Sequence, residues 1–501
     1  MDATTTEDRP FAVIDVGSNS GRMIVFRLRE DEHLDVLEDS RAPLRLAREL
    51  RDGDVLGTEA IGRTVEALHD FKAIADGTGV TRIIAVATSA VREASDGEDL
   101  VRAAAGIGIP LEVIDAETEA QLGFLGAVHD LPVQAGVTMD VGGGSVELTR
   151  FEDRRPGRSW TVPFGSLRVS DRFLDHDPPT TKEIGRLRHA LAEALDDARV
   201  TELRKHEDVV GIGGTVRNLA KVDLRRTDAE MPLIHGYELT ARHLAGMIDD
   251  LAERSMQRRA LVPGLNPDRA DTIVGGALVV HGVMEHLGAR RLVVSSRGIR
   301  EGLALDSFGR SVPPASWVRT ISVLTLARRF ATWDARIADR RTAIVTKIFD
   351  ALDATSPSSI REMLTHAASL VDIGRAIDYY DRFEHAAMVV LTADLAGFSH
   401  ADLAALATIL RDAGDDTSAG RLVDEQDRAV VDRAAATLAL AEELLRRIDP
   451  AGPADVACAW TGEGFEVTAP VPGGWRPRAV ADRFAAAVGR PLRIVADGEG
   501  A

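Results

Sequence analysis

The feature that most constrains this chain is a short device that occurs twice. Residues 11–27, FAVIDVGSNSGRMIVFR, and residues 137–150, VTMDVGGGSVELTR, share one pattern: apolar run, Asp-Val-Gly, two small residues, Ser, apolar run. Apolar runs around a small-residue turn predict a hairpin of buried strands. The leading acids, Asp15 and Asp140, are 140 − 15 = 125 residues apart, about one α/β half, so the two turns can face each other across a cleft.

Each device opens an alternation of strands and helices. In the first half, residues 33–38 read as a half-polar strand and residues 62–76 have helical spacing. Residues 82–90 form a buried strand entering a helix, and residues 111–114 a strand followed by a helix from about Ala116. The second half restarts near Val133, with strand, glycine turn and helix at residues 208–220 and again at 290–305. Such alternation predicts α/β architecture. Paired prolines in DSFGRSVPPAS, residues 306–316, mark a linker. Residues 317–448 are Ala- and Leu-rich with helical period, and residues 454–501 read strand, strand, helix, strand. The expected domains are therefore 1–132, 133–305, 317–448 and 454–501.

Composition narrows the function. Five lysines stand among 60 basic residues, and 60 − 79 gives a net charge of −19, which argues against a general nucleic-acid surface. Cys458 is alone, which excludes an intramolecular disulfide and a cysteine-rich metal site. The start MDATTTEDRP lacks a basic, apolar leader and no apolar run reaches ~18 residues, so a cytoplasmic protein without membrane association is expected.

In a turn of this kind small residues let backbone N–H groups approach a phosphate, the serine adds a donor, and the aspartate can hold a metal ion against phosphate oxygens. Either turn alone is equally compatible with a tight hairpin whose glycines serve the backbone only. The repetition, joined by GIGGT at residues 211–215, favours a phosphate clamp.

This layout resembles the actin-like ATPase and sugar kinase superfamily. Within it, the chain is similar to the exopolyphosphatase and guanosine pentaphosphate phosphohydrolase (Ppx/GppA) family. The motifs that carry the resemblance are DVGSNS at 15–20, TSAVR at 88–92, TEAQ at 118–121, DVGGGSVE at 140–147, GIGGT at 211–215 and REG at 300–302, in family order. The resemblance implies two actin-like (ribonuclease H-like) α/β domains, an all-helical HD-like domain and a small α/β C-terminal domain. It also implies hydrolysis of terminal phosphate from polyphosphate or guanosine pentaphosphate, with Mg²⁺ or Mn²⁺ as cofactor and a homodimer as assembly.

By the same resemblance Glu119 is the water-activating base, matching the second glutamate of the family's EEAR segment, with Thr118 in place of the first. Read from position alone, Glu117 and Glu119 are ordinary acids of a helix's first turn, where the dipole favours them. Asp140 and Glu147 are implied to act in catalysis, and with Asp15 to hold the metal. Arg92, Ser18, Asn19, Ser20, Gly143, Gly144 and Ser145 are implied to bind phosphate, as are Gly213, Gly214 and Thr215. Departures from the family pattern at Gly21, Arg22, Gln121 and SSRGIREG leave substrate choice open, and Arg22 and Arg297 are candidates to restore positive charge. In the helical region, residues 364–390 resemble a His-Asp metal phosphohydrolase helix pair, but Val371-Asp372 stands where the dyad belongs. No second metal site is expected there, and His366, His385 and His400 read as surface or packing residues. A kinase would share the turns but need an acceptor-site acid. A non-catalytic polyphosphate or alarmone sensor is disfavoured because Glu119, Asp140 and Glu147 are all present.

Overall fold

Side chains along β1 (Phe11–Val16) alternate between two covered faces, and this sets the layering of the first half. In the computed structural model, which describes residues 9–29, 33–50, 54–227, 231, 233–352, 356–414, 423 and 425–497, Ala12, Ile14 and Val16 join Leu68 and Phe71 of the helix Gly57–Gly77 in one core. Phe11 and Val13 join Leu122 and Leu303 in another. Burial on both faces explains the unbroken apolar run. β2 (Ser20–Leu28) and β3 (Leu34–Pro43) pair antiparallel beside β1, while β4 (Arg82–Ala87) and β5 (Leu111–Val113) extend the sheet in parallel. β3 runs on to Pro43, beyond the expected 33–38, because its polar outer residues still pair with β2 at the sheet edge.

The second half repeats this plan with β6 (Gly136–Val141), β7 (Val146–Glu152), β8 (Arg155–Val162), β9 (Asp208–Ile212), β10 (Glu238–Thr240) and β11 (Arg291–Val294). Its order is β10-β11-β9-β6-β7-β8, against β3-β2-β1-β4-β5 in the first. Without β10 the two orders coincide, so the chain carries two actin-like α/β halves. One sequence expectation changes: residues 211–215 hold no separate turn, because β9 runs straight into the helix Gly213–Arg226 and the glycines form its first turn.

The helices Ala116–His129 and Ile299–Asp306 cross with their backbones in close approach. A Cβ on Gly126 would collide with the Gly298 carbonyl, and one on Gly302 with the Leu122 carbonyl. Only glycine permits this crossing, which fixes Glu119 and Arg300 relative to each other. At the far end of the first helix Arg154, 6% exposed, donates to the carbonyls of Val128, Leu131 and Val133 at 2.8, 2.6 and 2.7 Å and so closes its C-terminus.

The chain packs as two compact units, Met1–Val318 and Arg319–Ala501. The second contains the helices Ala335–Leu352, Ser358–Leu370, Arg382–Thr392, His400–Ala413 and Glu425–Leu445. It ends in a small sheet of β12 (Ala457–Trp460), β13 (Phe465–Ala469) and β14 (Leu492–Ala496), covered by the helix Arg478–Val488 through Phe465 and Phe484. Asp372 is buried and ion-paired to Arg341 at 2.7 Å, and the same guanidinium meets Glu442. His366 is buried with its ring edge-on to Phe398, a packing role. Among the described residues no helix is long and apolar enough to cross a membrane.

Candidate active site

The two turns are built alike. Gly17 N–H donates to Ser20 O at 3.2 Å, and Gly142 N–H to Ser145 O at 3.0 Å. In both, the remaining carbonyls are drawn back into the protein. Ser18 O accepts from Ala47 N–H at 3.0 Å and Asn19 O from Arg45 N–H at 2.9 Å. Gly142, Gly143 and Gly144 O accept from Ser166, Leu167 and Gly165 N–H at 2.9, 3.0 and 3.1 Å. With the carbonyls so engaged, the N–H groups of Ser18, Asn19, Gly143 and Gly144 find no acceptor among the described residues. Successive N–H groups left free in this way form an anion-binding concavity.

The turns also meet. A Cβ on Gly143 would lie 3.1 Å from Asn19 Cβ, and one on Gly144 3.4 Å from Ser18 Oγ. Together with the first turn of the helix Gly213–Arg226 they enclose a cavity of about 130 Å³. Gly213 has φ +87°, and a Cβ there would strike the Asp140 carboxylate. That close approach explains the glycine.

Asp15, Glu119, Asp140 and Glu147 line this cavity. Strand register sets the acids in each hairpin: Asp15 lies opposite Arg22 and Asp140 opposite Glu147. Residues directly opposite in an antiparallel pair share a face. Glu119 comes from the helix Ala116–His129, whose N-cap Asp115 accepts from Thr118 N–H at 2.7 Å. Arg92 lies outside the cavity wall and holds Glu119 from behind, with Nη1 at 3.1 Å from Oε2 and 2.8 Å from the Ile114 carbonyl. Burial pushes Asp15 up to about 6 against the pull of Arg300 and Arg22. It pushes Glu119 up to about 7 against Arg92. Asp140 is raised by burial, and Glu147 well above its ordinary value by burial and then by the charge of Glu119. The Ser145 hydroxyl donates to Glu147.

Four guanidiniums, Arg22, Arg217, Arg269 and Arg300, line the same cavity. Burial, then repulsion from Arg300 and Arg217, brings Arg22 down to about 9, and burial brings Arg269 down to about 10. Among the described residues Arg22 and Arg269 form no salt bridge, and Arg217 donates to a carbonyl, Ser296 O, at 3.0 Å. Mutually repelling, desolvated guanidiniums require an anion between them. Of this set the sequence had offered only Arg22 as a candidate phosphate ligand. Arg217 and Arg269 carry no local signal in an arginine-rich chain, whereas the REG motif at 300–302 already marked Arg300.

Three expected phosphate ligands lie elsewhere, the first being Arg92, whose guanidinium is taken up by Glu119 and the Ile114 carbonyl. Thr215 is 2% exposed beneath the helix start, its hydroxyl 3.4 Å from Val141 O and its methyl beside Gly276. Arg297 lies outside the cavity with Nε 3.3 Å from Asp130. Ser18, Asn19, Ser20, Gly143, Gly144, Ser145, Gly213 and Gly214 all line the cavity.

Among the described residues no group of three or more Asp, Glu, His or Cys side chains is gathered to cage a metal ion. Mg²⁺ does not need such a cage: it binds through one or two carboxylates, water and substrate phosphate. Asp15 and Asp140, both raised by desolvation, fit that open arrangement.

Residues 24–311 match the Ppx/GppA phosphatase family, and residues 318–453 match domain III of that phosphatase. Exopolyphosphatase 1 of Mycobacterium leprae is 30% identical over 313 residues, 62% of this chain and 92% of that protein. Exopolyphosphatase 2 of Mycobacterium tuberculosis is 31% identical over 314 residues, 60% of this chain and 98% of its own. The crystal structure of an exopolyphosphatase from Cytophaga hutchinsonii superposes with TM-score 0.54 at 25% identity, covering 61% of this chain and 99% of that one. The Aquifex aeolicus member of the Ppx/GppA family gives 0.53 at 26%, covering 60% and 97%. With a matching family span over more than half its length and the family's fold, the chain belongs to the Ppx/GppA phosphatase family.

Proposed function

We propose that this phosphoanhydride hydrolase removes the terminal orthophosphate from inorganic polyphosphate. The observation that carries the reading is the meeting of four arginines with the free N–H groups of both turns around one small cavity that also contains Glu119. Water attacks the terminal phosphorus in line, a P–O bond forms, the bridging P–O bond breaks, and the shortened chain leaves with the bridging oxygen. Glu119 accepts the proton of the attacking water, and Arg92 holds its carboxylate in place. The arginines and turn N–H groups bind the phosphoryl oxygens, where charge must be stabilised. Asp15 and Asp140 would hold Mg²⁺, which when bound would supply further positive charge over those oxygens.

Guanosine pentaphosphate is the second substrate to consider, because the same groups act on any terminal phosphoanhydride. Among the described residues the groove beside the cavity has no Phe, Tyr or Trp in its lining to stack a base, which favours the inorganic chain. Phosphate release with Mg²⁺, measured on long-chain polyphosphate and on guanosine pentaphosphate, tests both. Glu119→Gln is expected to lower turnover by ~10²-fold or more while phosphate still binds. Wild-type activity in that variant refutes the role of Glu119, and faster release from the nucleotide reverses the choice of substrate.

A further inference from the structure

A groove of about 560 Å³ opens from the phosphate cavity and shares Arg22, Gly214, Arg217 and Arg300 with it. Its bank is the helix Gly213–Arg226, on which Arg217 and Lys221 lie one turn apart on the same face. The facing wall is fixed to that helix. Asn266 N–H donates to the Asn218 side chain at 2.8 Å, and Gly264, at φ +90°, passes so close to the Lys221 carbonyl that a Cβ would collide with it.

The charge along the groove is not balanced from within. Arg22 and Arg217 make no ion pair among the described residues, and Arg300, 6% exposed, meets only the half-exposed Asp39, at 3.5 Å and without a hydrogen bond. Lys221 is exposed and makes no ion pair or hydrogen bond among the described residues. The acids of the groove are committed: Asp39 lies 3.5 Å from Arg300, and Glu301 accepts Gly298 N–H at 2.8 Å. Five lysines stand in a chain of net charge −19, and one of them projects where this cationic strip leaves the cavity.

We infer that this groove takes the phosphates behind the terminal one, and that Lys221 at its outer end is a specificity residue for chain length. The inference rests on the polyphosphate reading above. It gives the substrate a direction: the terminal phosphate lies between the turns and the remaining chain runs along the helix Gly213–Arg226. The cavity and its rim take up the phosphates of tripolyphosphate, whereas a longer chain passes Lys221. An exposed ammonium contributes a modest, salt-screened attraction.

The test is KM and kcat for tripolyphosphate and long-chain polyphosphate in the full chain, at low and high salt, for wild type, Lys221→Ala and Lys221→Glu. Lys182→Ala, at an exposed position outside both cavities, serves as control. The expected result is a rise in KM for the long chain of ~3-fold in Lys221→Ala and ~10-fold in Lys221→Glu, shrinking at high salt, with a smaller shift for tripolyphosphate. Equal shifts on both substrates, or none, overturn the inference while wild-type release upholds the function. No release by wild type from either substrate overturns the function and the inference together.

Discussion

Positions 22 and 147 occupy the same place in two copies of one hairpin, seven residues after Asp15 and Asp140, yet one is an arginine and the other a glutamate. That difference sets a guanidinium beside the acid of one turn and a second carboxylate beside the acid of the other. Further from the cavity, Asp130 caps the end of the helix Ala116–His129. Burial works against its carboxylate, but His129 at 2.6 Å, then Arg297 and His235, outweigh it and hold Asp130 below the usual carboxylate range. A depressed folded-state value means stability that is present above the unfolded pKa of about 4 and lost as pH falls through the folded one. Asp130→Asn is therefore expected to lower Tm at pH 7, with the gap to wild type closing below about pH 3. A gap independent of pH tells against the ion-pair account. The sequence made Asp15, Asp140 and Glu119 legible because motif and strand pattern single them out. Arg297 misled because its neighbour Asp130 lies far away in sequence, and Thr215 because a helix start looks like a turn when two glycines precede it.

At the scale of elements, the crossing at Gly126 and Gly302 determines whether Glu119 and Arg300 line the same cavity. The strands and helices of both halves were readable from periodicity, since buried strands and amphipathic helices carry their own patterns. The crossing was not, because a glycine inside a helix shows nothing of the backbone packed on it. Gly302→Ala must push the helices apart. It is expected to cost about 1–3 kcal/mol in thermal unfolding and to lower kcat by ~10-fold or more through displacement of Glu119. Full kcat in a folded Gly302→Ala protein counts against this coupling.

At the scale of the whole molecule, every residue of the proposed site lies in the unit Met1–Val318. The mycobacterial relatives match 60–62% of this chain with 92–98% of their own length. The fragment ending at Val318 is therefore expected to fold and release phosphate from polyphosphate, measured by circular dichroism and initial rates. A folded but inactive fragment assigns the second unit a part in catalysis. The domain pattern of that unit was legible as helices followed by a small sheet, but the Arg341 ion pairs with Asp372 and Glu442 join residues far apart in sequence and left no trace in it. The unlike hairpin positions, Arg22 and Glu147, have a last consequence. A duplicated cleft with identical jaws would accept a chain in either sense, whereas this one has polarity. Linear polyphosphate has two equivalent termini, so each molecule offers two productive starts. Esterifying one terminus is expected to halve kcat/KM, and esterifying both to abolish it. Cleavage of doubly blocked chains would reveal an enzyme that cuts from within.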